Sequence, residues 1–152
     1  MSPSPRRAAA IVLAVLFAQA GPASAEKFTG LVTRVIDGDT LIVRYLEQHV
    51  SVQLEGVDAP DRGEPYARRS AQSLARLCSQ RAARVESEGS DAFGRVLGEV
   101  VCNGVNVNEE QLRQGMARLA APSESRADWR KLQLEARSAK RGIWSDTVSA
   151  AR

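Results

Sequence analysis

Four aspartates occupy positions where the sequence predicts that strands end or turn, and they are Asp37, Asp39, Asp58 and Asp61. Carboxylates that converge at such positions repel one another, and each raises the pKa of its neighbours. A hard divalent cation removes this repulsion, and oxygen ligands suit Ca²⁺ or Mg²⁺. The spacing does not follow the EF-hand loop, so separate loops would have to assemble the site. The alternative is that each acid is an ordinary turn residue.

Other kinds of catalytic site find little support in the sequence. The one histidine, His49, falls in a predicted hairpin turn, which does not favour a catalytic triad that uses histidine. The sequence contains no glycine-rich phosphate loop, and two cysteines with one histidine cannot form the usual four-ligand zinc site. Metal-assisted hydrolysis and a function without catalysis both stay open.

The four acids lie within or close to the ends of short β-rich runs. Residues 28–36, 39–46 and 50–57 are separated by DGD and by EQH, a pattern typical of a meander of hairpins. Two further strands surround the loop GSDAFG at residues 89–94. The sequence therefore predicts five strands.

Helical spacing of apolar residues predicts three helices. The first covers residues 67–78, and the last covers 129–139. Between them, a short helix is predicted to begin at Asn108 as N-cap, with Gln111 as its capping-box partner, and to end at Gly115. Five strands that mostly precede three helices favour an α+β fold with a small closed barrel.

Residues 1–25 have the layout of a cleaved secretory signal peptide: two arginines, an apolar run at 8–17 and a small-residue end at Ala23–Ala25. The run is shorter than the roughly 20 residues that span a bilayer. We therefore expect one domain over 26–152, exported to the periplasm or the medium, without stable membrane association after cleavage. The alternative is an N-terminal anchor helix.

Net charge does not identify a partner. The 152-residue chain has a formal charge of +3, but removal of Arg6 and Arg7 leaves 19 basic against 18 acidic residues, or +1. Arginines crowd the segment 62–84, either as a solvated helix face or as a track for phosphates.

Two cysteines, Cys78 and Cys102, remain in the exported segment. An oxidising compartment favours a disulfide between them. The alternative is that they are two small buried apolar side chains.

Five blocks in register resemble the staphylococcal-nuclease-like, or thermonuclease, family: VIDGDTL (35–41), LEGVDAPD (54–61), DAFGR (91–95), NGVNVNEEQLRQGMA (103–117) and AKRGIW (139–144). The match covers essentially residues 28–144. The resemblance implies a five-stranded OB-fold barrel with three α-helices and Ca²⁺-dependent cleavage of DNA and RNA phosphodiesters. We further expect a monomer that acts on single-stranded or flexible nucleic acid.

The resemblance also assigns a metal site. Asp39 and Asp58 match the direct Ca²⁺ ligands of the family, and the carbonyl of Ala59 matches its backbone ligand. Asp37 and Thr40 match positions that surround the metal through water.

Three catalytic positions follow from the same comparison. Asp61 stands where the family has a glutamate that acts as general base, and Arg95 matches an arginine that binds the phosphate. Gln53 stands where the family has a second arginine, and glutamine carries no charge. The stretch after Gly115 also lacks two tyrosines that pack against the nucleotide. The resemblance therefore leaves a second hypothesis, a non-catalytic OB-fold module that binds nucleic acid or oligosaccharide, and a third, a structural protein of the envelope.

Overall fold

The computed structural model describes residues 26–121, 123 and 126–145. The segment predicted as a signal peptide, residues 1–25, lies outside the described residues. The elements, in chain order, are β1 (Glu26–Val35), β2 (Thr40–Tyr45), β3 (Gln48–Leu54), β4 (Val57–Asp58), α1 (Ala67–Cys78), β5 (Ala82–Ser90), β6 (Val96–Cys102), β7 (Val105–Asn106), α2 (Val107–Arg113), β8 (Arg118–Leu119), α3 (Ala127–Ser138) and a 3₁₀ turn (Gly142–Trp144).

The five long strands close into a barrel. Neighbours in the order β3, β2, β1, β5 and β6 pair antiparallel, and a parallel pairing of β3 with β6 closes the sheet. Closure leaves these strands without a long free edge. The short strands β4 and β8 pair beside the barrel. The predicted α+β architecture, a five-stranded OB-type barrel with three helices, is confirmed.

Alternate residues of each barrel strand point inward, as the period of two in a β-strand requires. The inward side chains are almost fully buried, with exposed fractions of 0–1%: Val32, Leu41, Val43, Val52, Leu54, Val85 and Val100. Burial of apolar surface at about 25 cal/mol per Å² is the main force that holds the barrel together. All of these residues fall within the β-rich runs that the sequence predicted as strands.

A disulfide joins the end of α1 to the end of β6. Its partners are Cys78 and Cys102, both fully buried, so the predicted disulfide is confirmed. Helix α1 also packs against β1 and α2. The bond therefore fixes one end of α1 to the barrel wall. No helix in the described part of the chain is long and apolar enough to cross a membrane.

Two local predictions were wrong. The second hairpin turns at Leu46 and Glu47, with φ of 46° and 59°, and His49 lies within β3. Positive φ at both residues is the requirement of the two-residue turn that matches strand twist. The N-cap of α2 is Asn106, which accepts a hydrogen bond from the Glu109 N–H at 3.2 Å, rather than Asn108.

Asn108 lies inside α2 and forms tertiary hydrogen bonds instead of capping the helix. Its buried side chain accepts a hydrogen bond from the Val100 N–H at 3.0 Å and donates to the carbonyls of Glu55 and Gly98. These bonds tie α2 to β6 and to the segment between β3 and β4. Two asparagines satisfy the same capping pattern, and tertiary hydrogen bonds decide between them.

Candidate active site

Asp39 is the centre of a hydrogen-bonded cluster at one rim of the barrel. Its side chain is buried, and its Oδ2 accepts a hydrogen bond from the Ala59 N–H at 2.8 Å. The Thr40 hydroxyl donates to its Oδ1 at 3.0 Å. The bond from Ala59 joins the turn before β2 to the residue after Asp58, 20 positions further along the chain. Two of the predicted loops therefore meet, as the metal-site hypothesis requires.

The turn that precedes Asp39 is held from both sides. Asp37 Oδ1 accepts a hydrogen bond from the Asp39 N–H at 3.1 Å, which is a local turn bond of aspartate. Gly38 is buried, and a Cβ there would collide with the Ser70 side chain and lie 2.7 Å from the Cβ of Ala59. Only glycine therefore lets the turn approach α1 this closely.

Gln111 of α2 is a supporting residue that sequence reasoning missed. Its Nε2 donates to the Gly38 carbonyl at 2.6 Å and to the Ser70 carbonyl at 3.2 Å. The sequence interpretation treated Gln111 only as a helix-capping partner. The signal that could have found it is the presence of a polar amide on the apolar side of a short helix. In the structure, α2 positions the turn that carries Asp39.

Burial raises the pKa of Asp39 to about 7. The hydrogen bond from Ala59 opposes this shift, whereas the neighbouring Asp37 carboxylate adds to it. Among the described lysines and arginines, none lies within 4.0 Å of the Asp39 carboxylate. A desolvated carboxylate beside a second carboxylate is stabilised by a cation.

Asp58 and Asp61 follow in the next loop. Asp58 is exposed on β4, opposite Arg118 of β8 in the strand register. Asp61 is also exposed, and its N–H donates to Glu64 Oε2 at 2.9 Å while its carbonyl accepts from the Glu64 N–H. The backbone of Asp61 is thus fixed in a turn, and its carboxylate lies at the surface.

The predicted metal ligands are all oxygen atoms. Two carboxylates, Asp39 and Asp58, and the Ala59 carbonyl would bind directly, and Asp37 and Thr40 would act through water. This donor set fits a hard cation such as Ca²⁺, which takes carboxylates, carbonyls and water. No group of three or more histidine, cysteine, aspartate or glutamate side chains that could hold a metal occurs within the described ranges. Carbonyl and water ligands would therefore have to complete the coordination.

Gln53 lies against this cluster. It pairs with Thr40 across the β2–β3 hairpin, and its Oε1 is 3.2 Å from the Thr40 hydroxyl oxygen. Thr40 thus touches both Asp39 and Gln53. The position that the family resemblance marked as the missing arginine is therefore a position beside the candidate metal site.

Arg95 does not contact the cluster in this structure. Its Nε donates to Asp91 Oδ2 at 2.6 Å, and Asp91 Oδ1 accepts from the N–H groups of Arg95 and Phe93 at 2.9 Å each. Burial acts to raise the pKa of Asp91, but these hydrogen bonds hold it below its ordinary value. Arg95 precedes β6, two residues before the partner of Gln53 in the register. The turn 91–95 therefore holds the guanidinium against Asp91, just before the strand that pairs with β3.

The fold and this rim define a class of protein, namely an OB-type barrel with a buried carboxylate and oxygen donors at the mouth of the barrel. The model of the family described as staphylococcal nuclease homologue matches residues 51–146. The chain belongs to this family of staphylococcal nuclease homologues. Membership places it among the nucleases, which are hydrolases.

Three curated proteins illustrate the likeness. A protein named ParB from Escherichia coli is 39% identical over 149 residues, covering 91% of this chain and 83% of that protein. An Escherichia coli protein named uncharacterized endonuclease is 35% identical over 133 residues, covering 87% of each. A protein named micrococcal nuclease from Shigella flexneri is 32% identical over 150 residues, covering 90% of this chain and 84% of that protein.

Proposed function

We propose that this chain is an exported nuclease that hydrolyses DNA and RNA phosphodiester bonds with Ca²⁺. The observation that carries the proposal is the cluster around Asp39, which is buried without a cationic side chain within 4.0 Å in the described residues and lies one hydrogen bond from the loop of Asp58. When bound, Ca²⁺ supplies positive charge that offsets the charge developing on a phosphoryl oxygen. Asp39, Asp58 and the Ala59 carbonyl would hold it, with Asp37 and Thr40 acting through water.

Asp61 is the proposed general base. It takes a proton from a water molecule as the water oxygen attacks phosphorus and the P–O bond to the leaving group breaks, and the leaving oxygen takes a proton from solvent. Its surface position and its backbone, which Glu64 holds, suit contact with substrate. It is one methylene shorter than glutamate, and a misplacement of about 1 Å can reduce a rate on the order of 100-fold.

Arg95 is the proposed phosphate-binding arginine. The Arg95 Nε donates to Asp91, so within the described part of the chain the two terminal nitrogens of Arg95 stay available for the substrate. A guanidinium held in this way can bind two phosphate oxygens and stabilise the charge of the transition state.

Gln53 limits the rate in this proposal. Its amide can donate a hydrogen bond but adds no charge beside the phosphate. An arginine on a transferring phosphoryl group is worth on the order of 1000-fold or more. We therefore expect a slow nuclease.

Export, the domain division and the assembly state are part of the proposal. The disulfide between Cys78 and Cys102 supports an oxidising compartment, either periplasm or medium, with residues 1–25 as the cleaved signal and 26–152 as the domain. We further infer a monomer that acts on single-stranded or flexible substrate.

Incubation of the purified protein with single-stranded DNA, in Ca²⁺ or in chelator, tests the function. Asp39→Asn keeps the shape of the side chain and one acceptor oxygen, and it should abolish Ca²⁺-dependent cutting. Asp128→Asn, an exposed acid on α3, is the matched control and should cut as the unaltered protein does. Binding without any cutting at high protein concentration would instead favour the alternative, a non-catalytic OB-fold module.

A further inference from the structure

A cavity of about 320 Å³ opens beside the turn that carries Asp39. Its wall includes Ile36 and Asp37 from the turn after β1, Pro60 and Arg62 from the loop after β4, and Arg68 from α1. The volume is at the lower end of the range of small-ligand pockets. It is large enough for a group the size of one nucleotide.

The cavity adjoins the candidate active site through two residues. Asp37 lies in its wall and accepts the hydrogen bond from the Asp39 N–H. Pro60 lies in its wall and follows Ala59, whose N–H binds the Asp39 carboxylate. The cavity therefore adjoins the Asp39 cluster on the side of α1, where a nucleic-acid strand bound at the cluster can extend into it. Arg95 is not part of the cavity wall; it lies at the start of β6, which pairs with β3.

Two arginines of the wall have no acidic partner. Arg62 and Arg68 are exposed, and neither forms an ion pair with any described residue, whereas Arg95, Arg113 and Arg126 each pair with an acid. An unpaired guanidinium matches phosphate oxygens in a bidentate geometry.

The acids of the wall have other partners. Glu64 Oε2 is occupied by the Asp61 N–H at 2.9 Å, and Asp37 turns its Oδ1 to the Asp39 N–H. Both acids keep their negative charge, so the wall holds two carboxylates and two guanidiniums, and Arg62 and Arg68 are its cationic groups that can bind an anion.

The rest of the wall is aliphatic. Ile36, Pro60, Ala67 and Ala71 line it, and Ile36 is one of the large apolar side chains that the fold leaves exposed, at 36%. An apolar wall next to two cations suits a ligand with a flat apolar part and a phosphate. A nucleotide has both.

We propose that this cavity is a nucleotide subsite, in which Arg62 and Arg68 bind a phosphate adjacent to the scissile phosphate. The aliphatic side chains of the wall contact the base or the sugar. The proposal rests on the proposed nuclease function, because it makes the cavity a part of the substrate path. The two arginines would strengthen substrate binding rather than the chemical step.

Binding in chelator measures the subsite without hydrolysis. A fluorescent oligothymidylate is titrated with the full chain and with R62Q/R68Q over a series of salt concentrations, and fluorescence anisotropy reports the dissociation constant. The slope of log K against log salt is negative, and losing the one phosphate contact that the two arginines share should reduce its magnitude by about 0.7 for a single strand. Affinity at low salt should fall on the order of tenfold.

Two further variants make the test specific. Arg130→Gln removes an exposed arginine from α3, outside the cavity, and should leave the slope unchanged. Ala71→Phe fills the cavity while keeping its charges, and it should weaken binding several-fold with an unchanged slope. Thermal unfolding of each variant, compared with the parent, shows that the fold persists.

The outcomes separate the subsite from the nuclease function. If R62Q/R68Q binds with the parent slope and Ala71→Phe binds with the parent affinity, the subsite is overturned, whether or not the protein cuts DNA. If both variants lose affinity as expected but the parent never cuts, the nuclease proposal fails and the cavity stands as a nucleic-acid-binding site. If the parent cuts, both variants should raise KM for long oligonucleotides more than for a dinucleotide.

Discussion

Gln111 on α2 donates a hydrogen bond to the carbonyl oxygen of Gly38, 73 residues earlier in the chain, at 2.6 Å. The turn that carries Asp39 is therefore held by a helix outside the barrel. Since Gly38 is buried, loss of the donor would leave its carbonyl as a buried polar group without this partner, which costs free energy. Helix α2 is in this sense a part of the candidate site, although it contributes no proposed ligand or base.

Gln111→Met should destabilise the protein by about 1–3 kcal/mol, because the side chain keeps its size but loses the donor to Gly38. Denaturant unfolding gives the free energy of unfolding. Gln114→Met on the same helix is the control, since Gln114 is exposed and bonds to Glu110; its effect should stay within about 0.5 kcal/mol. Equal stabilities for the two variants would mean that Gln111 does not hold the turn.

Gln53→Arg should raise kcat/KM for single-stranded DNA by about 100-fold or more, because it places a guanidinium against Thr40, beside the cluster of Asp39. The control is Gln48→Arg, which adds the same charge at the exposed start of β3. An increase shared by both variants would reflect general attraction of the substrate. An unchanged rate for Gln53→Arg alone would show that another cation already serves the phosphate.

Asp61→Glu should increase kcat, since one more methylene extends the proposed base towards the reach that the family uses. Asp61→Asn should lower kcat on the order of 100-fold or more, as expected when a general base is removed. Both changes leave the backbone bonds to Glu64 in place, so the fold should be unaffected. A kcat that is insensitive to both substitutions would remove Asp61 from the mechanism.

Much of the fold was readable from the sequence, because strands and helices of a small barrel have strong periodic patterns. The run from Ala67 to Cys78 was predicted as a helix with the bounds that α1 has. The N-cap of α2 was not, because Asn106 and Asn108 satisfy the same local rule and only contacts with β6 distinguish them.

The candidate site was readable only in part. The sequence placed the four aspartates at predicted strand ends or turns. Side chains at such positions meet at the rim of a barrel, which predicted where the site lies. The support from Gln111 depends on a contact between distant segments, which no local pattern contains. The pairing of Arg95 with Asp91 is local, at four residues, and could have been inferred from the turn DAFGR.

The stability of the metal-free protein should depend on Asp39. In the folded protein its pKa is about 7, above the ordinary value of 3.8, so between these two pH values the folded state binds more protons than the unfolded state. Its contribution therefore favours folding at low pH and is lost as the pH rises from about 4 to 7, with a limiting slope of about 1.4 kcal/mol per pH unit.

The comparison of the parent with Asp39→Asn in chelator reports on Asp39 together with the neighbouring Asp37, because these two carboxylates interact and titrate as a pair. The free energy of unfolding of the parent, minus that of the variant, should decrease across this pH range. A constant difference would contradict the shifted pKa. Added Ca²⁺ should flatten the dependence if the cation binds at this carboxylate, since a bound cation favours its charged form.

The last prediction concerns the contribution of the disulfide, which joins α1 to β6, to the stability of the fold. Cys78 ends the helix that carries Arg68 and Ser70, and its bond to Cys102 closes a loop across 24 positions of the chain. Replacement of both cysteines by alanine should lower the free energy of unfolding by about 3 kcal/mol, mainly because the unfolded chain gains freedom. Reducing agent should destabilise the parent by a similar amount and leave the double variant unchanged. A parent that unfolds identically with and without reductant, and that shows two reactive thiols when unfolded, would rule out the disulfide and with it the argument for an oxidising compartment.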